Sequence, residues 1–126
     1  MRDRVREEIE AVNQEFSDRF ARGDLDGVSD LYTEDARFLP PERAIARGRR
    51  QIREVYAAYA AAGVTDLRFE TLEVDDRGDT VLELARSTAY TGSEQAQQFC
   101  YVIVWQRSTD GMLRLHWDVV STSHDG

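Results

Sequence analysis

At 126 residues, 41% hydrophobic and 32% charged, the chain has the size and composition of one folded domain with a single core and one modest cavity, not of a disordered tail. Sixteen basic against twenty-four acidic residues leave a net charge of −8, which argues against a phosphate backbone as partner, so no nucleic acid is expected. No apolar run reaches the roughly 20 residues of a membrane span, and Met1-Arg2-Asp3-Arg4 opens into charged sequence, so neither membrane insertion nor secretion is expected.

Val5, Ile9, Val12, Phe16 and Phe20 recur at steps of four and three, which predicts an amphipathic helix over 3–22 ended by Gly23. Gly23-Asp24-Leu25-Asp26-Gly27 is a turn into a short second helix, about 25–32, with Leu25, Val28, Leu31 and Tyr32 on one side and Tyr32 as a packing anchor at its end. Ala36-Arg37-Phe38-Leu39 reads as a strand stopped by Pro40-Pro41. Gly48 opens a third helix carrying Ile52, Val55, Tyr56 and Tyr59, and Gly63 closes it. Residues 67–74, 80–90, 98–107 and 112–121 then read as strands joined by turn-forming segments such as Asp75-Asp76-Arg77-Gly78-Asp79 and Ser108-Thr109-Asp110-Gly111.

The strand from Phe99 to Trp105 is apolar on both faces, so it should be central and covered twice, by helices on one side and most simply by a second subunit on the other. A homodimer is expected. With no repeat, linker or low-complexity segment, residues 1–126 form a single α+β domain: three helices with one strand among them, followed by a four-strand meander.

The run Phe16…Gly23-Asp24-Leu25-Asp26-Gly27…Leu31-Tyr32-Thr33-Glu34-Asp35-Ala36, followed by Pro40-Pro41, Gly48 and Ile52, resembles the front half of the SnoaL-like group. That group sits with the ketosteroid isomerases in the nuclear transport factor two-like fold. The segment from Gly111 through His116-Trp117-Asp118 to Val120 resembles the last strand of SnoaL-type polyketide cyclases. The resemblance implies a cone: a strongly curved, mostly antiparallel sheet wrapped around the helices, with a pocket at its open end and homodimers packed through the outer sheet face. For the ketosteroid isomerases it implies an aspartate base after the second helix, a tyrosine on the first helix and a protonated aspartate on a late strand. Those positions fall on Pro40, Phe16 and either Ile103 or Val104, none of which takes a proton or stabilises an enolate, so isomerase chemistry by that mechanism is not expected. Epoxide hydrolases of this fold use an aspartate–arginine–aspartate set; here only Glu83 and Arg86, on one strand, stand near such a pattern.

His116 and Asp118 are two apart on a strand and should leave the same face. If that face meets the pocket, as the resemblance implies, Asp118 is the acid/base and His116 orients it or shares its proton. If simple alternation holds, Leu113, Leu115, Trp117 and Val119 meet the core, and Arg114, His116 and Asp118 lie outside. The arginines Arg43, Arg47, Arg49, Arg50 and Arg53 read either as a positive rim at the pocket mouth, led by Arg47 and Arg50 beside Gly48, or as a solvated helix face with Glu42 and Glu54 as partners. Phe16, Phe20, Tyr56, Tyr59 and Tyr101 are candidate pocket aromatics, with core packing as the alternative. His124 lies in a polar tail and carries no argument.

Cys100 has no partner for an internal disulfide, and one cysteine with two histidines is too thin for a structural zinc site, so no metal is expected and a reducing, cytoplasmic setting fits. No Gly-x-Ser-x-Gly, Gly-x-Gly-x-x-Gly or Gly-x-x-x-x-Gly-Lys motif occurs, and no cofactor is expected. Two functions fit. One is a cofactor-free pocket that isomerises or cyclises a small, hydrophobic, oxygenated, polyketide-like molecule by acid/base chemistry. The other is a non-catalytic ligand-binding or dimerisation module.

Overall fold

A computed structural model describes residues 3–41 and 43–121, apart from the side chain of Ala96. Helix α1 (Arg4–Ala21) starts where Asp3 accepts from the Val5 and Arg6 amides at 3.1 Å each, satisfying donors that a first turn leaves open. It stops at Gly23, whose φ of 77° turns the chain left-handed, so that the Gly23 amide reaches the Phe20 carbonyl and the Asp24 amide reaches that of Arg19.

Helix α2 (Leu25–Ser29) is shorter than the 25–32 read from the sequence. The sheet takes the remainder: the Leu115 amide donates to the Leu31 carbonyl at 3.0 Å, and Tyr32 opens strand β1 (Tyr32–Leu39). A two-residue strand β2 (Ala46–Arg47), too short for any sequence signal, pairs with the end of β1. Helix α3 (Gly48–Ala61) follows and ends on the same device as α1, at Gly63 with φ 106°. Ile9, Phe16 and Phe20 of α1 and Ile52 and Tyr56 of α3 are buried, the faces their spacing predicts.

Strands β3 (Asp66–Asp76), β4 (Thr80–Thr91), β5 (Glu94–Arg107) and β6 (Leu113–Ser121) match the four predicted strands. β5 begins at Glu94 rather than at 98 because it stays paired with β4 down to the hairpin turn. The sheet order is β2-β1-β6-β5-β4-β3, with β1 parallel to β6 and the other pairs antiparallel. Register shifts between Thr71 and Glu73, Ala89 and Tyr90, and Val104 and Trp105 mark bulges that bend the strands. The three helices pack against this curved, unclosed sheet, the predicted α+β architecture.

β5 lies between β4 and β6, as its two apolar faces predict. Tyr101, Ile103 and Trp105 turn into the core. On the opposite face the ladder aligns Leu84, Val102 and Val119 in one row and Leu82, Val104 and Trp117 in the next. Leu84, Val102 and Trp117 are 43%, 39% and 50% exposed, so this strip is open in the single chain. Among the described residues no helix is long and apolar enough to cross a membrane. Glu42 and His124, both named in the sequence reading, lie outside the described residues.

Candidate functional site

β6 changes parity at His116. Leu115 pairs with Trp105, but Val104 pairs with Trp117, so His116 is an extra residue opposite β5. Before the bulge Leu113 and Leu115 face the core; after it Trp117 is 50% exposed and Asp118 is 4% exposed. Plain alternation would put Trp117 inside and Asp118 outside, and the bulge reverses both. It also separates the pair that the spacing joined. His116 Nδ1 is hydrogen-bonded to Thr33 Oγ1 at 2.8 Å and lies 3.8 Å from Asp35 Oδ1, so its partners are on β1 and not on Asp118.

The Tyr32 hydroxyl donates to Asp118 Oδ2 at 2.7 Å. Its one proton is thereby committed, so in the 2.8 Å contact between the Tyr32 and Tyr56 hydroxyls Tyr56 is the donor. Asp118 Oδ1 and Tyr101 Oη are the buried side-chain polar atoms without a hydrogen-bond partner among the described residues. Burial pushes the Asp118 carboxyl up to about 7; the Tyr32 hydrogen bond opposes this and the negative Glu83 adds to it. Burial first, and the Asp118 charge next, hold the Tyr32, Tyr56 and Tyr101 hydroxyls well above their ordinary value, so they remain donors.

Asp118, Tyr56 and Tyr101 line a cavity of about 330 Å³ with Phe38, Phe69 and Phe99 as further aromatic wall and Ser87 and Gln97 as polar accents. Phe38 and Tyr56 stack at 5.3 Å with 5° between their planes, giving one flat side. The space has the volume of a compact small molecule, and its lining carries Asp118, whose Oδ1 has no partner, and Tyr101, whose hydroxyl lies beside Ser87.

Of the other predicted residues, Tyr59 lines the cavity and stands edge-on to Tyr56. Phe16 and Phe20 pack behind the wall: Phe16 meets Tyr32, Tyr56 and Phe69 edge-on, and Phe20 meets Tyr56. They hold the aromatic wall without forming its surface. Arg47 caps α3, with its amide donating to Gln51 Oε1, and Arg50 is exposed beside Glu54 at 3.7 Å; neither lines the cavity. The arginine that reaches the wall is Arg43, whose guanidinium lies 5.7 Å over the Tyr59 ring. Arg49 donates to the Tyr32 carbonyl at 2.9 Å and so braces the strand that carries Tyr32.

The sequence reading missed Tyr32 as a site residue by placing it in helix α2. Its even spacing to Ala36 and Phe38, all three buried on β1, is the signal that marks it as an inward strand residue. Ile103 is buried and pairs with Asp118, so the cavity's carboxyl stands one strand away from the late-strand position that the isomerase resemblance implies. Arg86 turns outward to Glu70 at 3.1 Å while Glu83 is buried, so these two do not converge. Among the described residues no three His, Cys, Asp or Glu side chains are placed to hold a metal ion.

The fold is shared with several solved structures. A protein of unknown function with a cystatin-like fold from Nostoc punctiforme has a TM-score of 0.82 at 17% identity, over 99% of this chain and 81% of that one. A ketosteroid isomerase-like protein from Erwinia carotovora atroseptica has 0.74 at 22% identity, over 98% and 100%. Aln2 from a Streptomyces species has 0.77 at 16% identity, over 96% and 92%. No curated protein matches the chain in sequence. The family model of the SnoaL-like domain matches residues 13–116, from the middle of α1 to the bulge of β6, and the chain belongs to that family.

Proposed function

We propose that the cavity binds a small, mostly apolar molecule bearing a carbonyl oxygen, and that Asp118 moves a proton next to that carbonyl, as in isomerisation, cyclisation or dehydration. The observation that carries this reading is Asp118 Oδ1: buried, without a partner, open to an aromatic cavity, on a carboxyl whose other oxygen Tyr32 holds in place. A carboxyl that titrates at about 7 can take and return a proton near neutral pH. Tyr101 and Asp118 are diagonal neighbours on adjacent strands, within reach of one ligand, so the Tyr101 hydroxyl is the donor for the enolate oxygen that forms when Asp118 takes the α-proton.

The apolar strip of Leu84, Val102, Val104 and Trp117 supports a homodimer packed through the outer sheet face. Cys100, unpaired and partly buried, supports a reducing, cytoplasmic setting.

The test uses 2-tetralone, a neutral bicyclic ketone with exchangeable α-protons. Wild-type protein should bind it and speed its deuterium uptake from solvent, and Asp118→Asn should keep binding while losing the roughly 10²–10⁴-fold acceleration that a general base contributes. A second reading, binding without turnover, draws on Phe16, Pro40 and either Ile103 or Val104 at the positions where the isomerase set would stand; ketone binding with no exchange in the wild type selects it.

A further inference from the structure

Glu83 on β4 is a second fully buried carboxyl, and the chemistry proposed for the cavity leaves it without a task. Its Oε1 accepts from Trp105 Nε1 at 2.9 Å, and its Oε2 accepts from Thr71 Oγ1 at 2.7 Å and from Asn13 Nδ2 at 3.1 Å. The indole and amide nitrogens can only donate. The Asn13 amide also lies 3.4 Å from Thr71 Oγ1, which fills a lone pair of that hydroxyl and leaves its proton for Glu83. A protonated Glu83 would meet donors at both oxygens, so this site is built for the carboxylate. Burial raises Glu83 above its ordinary value, and the hydrogen bonds from Thr71, Trp105 and Asn13 oppose that rise without cancelling it.

Glu83 pairs with Ile103 on β5, and Ile103 pairs with Asp118 on β6. All three point into the interior, at 0%, 2% and 4% exposure. The two carboxyls therefore stand two strand spacings apart, roughly 10 Å, with one aliphatic side chain between them. The titratable groups around Asp118 are Tyr32 of β1, Tyr56 and Tyr59 of α3, Tyr101 of β5 and Glu83 of β4. The tyrosines are neutral, which leaves Glu83 as the negative neighbour. Glu83 in turn feels Arg6 of α1, whose guanidinium donates to the Thr71 carbonyl at 2.6 Å, and Tyr101 of β5.

We propose that Glu83 is a positioning residue: a fixed buried carboxylate whose charge makes Asp118 hold a proton more tightly than burial alone would, so that Asp118 can both take the ligand's α-proton and return it near neutral pH. The inference rests on Asp118 as the working group of the cavity. Of two carboxyls in one dry interior, the one with three donors holds the charge and the one with a single donor keeps the proton.

The experiment follows both carboxyl titrations by ¹³C NMR in the ligand-free, full-length protein. In the wild type Glu83 should lose its proton at lower pH than Asp118. Glu83→Gln should lower the Asp118 midpoint by about one pH unit, the coupling of two charges roughly 10 Å apart at an effective dielectric near 20. Asp118→Asn should leave the Glu83 midpoint in place, because Asp118 is already uncharged when Glu83 titrates. An Asp118 midpoint that ignores Glu83→Gln overturns the inference and leaves Glu83 a structural residue whose loss costs stability alone. If Glu83→Gln does not fold, the other two measurements decide. Glu83 keeping its proton above Asp118 in the wild type, or a Glu83 midpoint that falls in Asp118→Asn, reverses the roles. A wild-type Asp118 that titrates as an ordinary aspartate removes the acid/base reading itself, an outcome distinct from a raised Asp118 that is blind to Glu83.

Discussion

The Tyr32 hydroxyl donates to Asp118 Oδ2 across 86 positions of sequence, tying the first strand of the chain to the last at the wall of the cavity. With one carboxyl oxygen held there, Oδ1 is left without a partner among the described residues. Removing this bond by Tyr32→Phe withdraws the group that favours the charged form, so the Asp118 midpoint should rise above about 7. The variant should also lose about 1–3 kcal/mol of stability, since Tyr56 loses its acceptor in a buried site. NMR titration and urea denaturation check the two parts separately, and an unmoved or lowered midpoint contradicts the geometry.

Asp118 should make stability fall as pH rises. Its carboxyl keeps a proton up to about 7 in the folded chain, against an ordinary value of 3.8, so between those two pH values the folded state binds the extra proton. The stabilisation is complete below about pH 4 and is lost by about pH 7, a change of about 4 kcal/mol. Asp118→Asn has no such proton. The unfolding free energy of the wild type minus that of the variant should fall by this amount between about pH 4 and about pH 8, and a constant difference would show that Asp118 is not held protonated.

The two faces of β5 predict opposite results for neighbouring residues. Val102→Glu places a charge on the open apolar strip and should convert a homodimer to a folded monomer, read by sedimentation velocity at micromolar concentration. Ile103→Glu buries a charge beside Asp118 and should prevent folding, read by circular dichroism. A wild-type monomer would remove the dimer.

Arg47 and Arg50 stand away from the cavity lining, whereas Arg43 covers Tyr59 on its wall. Alanine at 47 or 50 should change the affinity for 2-naphthoate by less than about 0.5 kcal/mol, as for exposed charges. Arg43→Ala should weaken it several-fold. Calorimetric titration at low and high salt tests this, and the reverse ranking would return Arg47 and Arg50 to the mouth of the pocket.

The three helices, their glycine stops at Gly23 and Gly63, the four later strands and the central place of β5 follow from local pattern alone. Each depends on spacing or on backbone freedom that a short stretch of sequence carries whatever surrounds it. The aromatic wall was legible for the same reason, because Tyr56, Tyr59 and Tyr101 lie on correctly read elements.

The buried carboxyl of Asp118 was not legible in this way. Alternation predicts a face only while a ladder runs without interruption, and the bulge at His116 exists because β6 must register against Trp105 on one side of it and Val104 on the other. That choice belongs to the pairing of two strands, and it alone carries Asp118 inside and Trp117 out. Tyr32 was lost to a related cause: its own sequence continues a helical face as well as the inward spacing of Ala36 and Phe38, and the parallel ladder with β6 decides for the strand that aims it at Asp118. Local sequence determined which elements form and which of their faces are apolar. Tertiary pairing decided which carboxyl is buried, because the register between distant strands is a long-range property that spacing within a single strand does not contain.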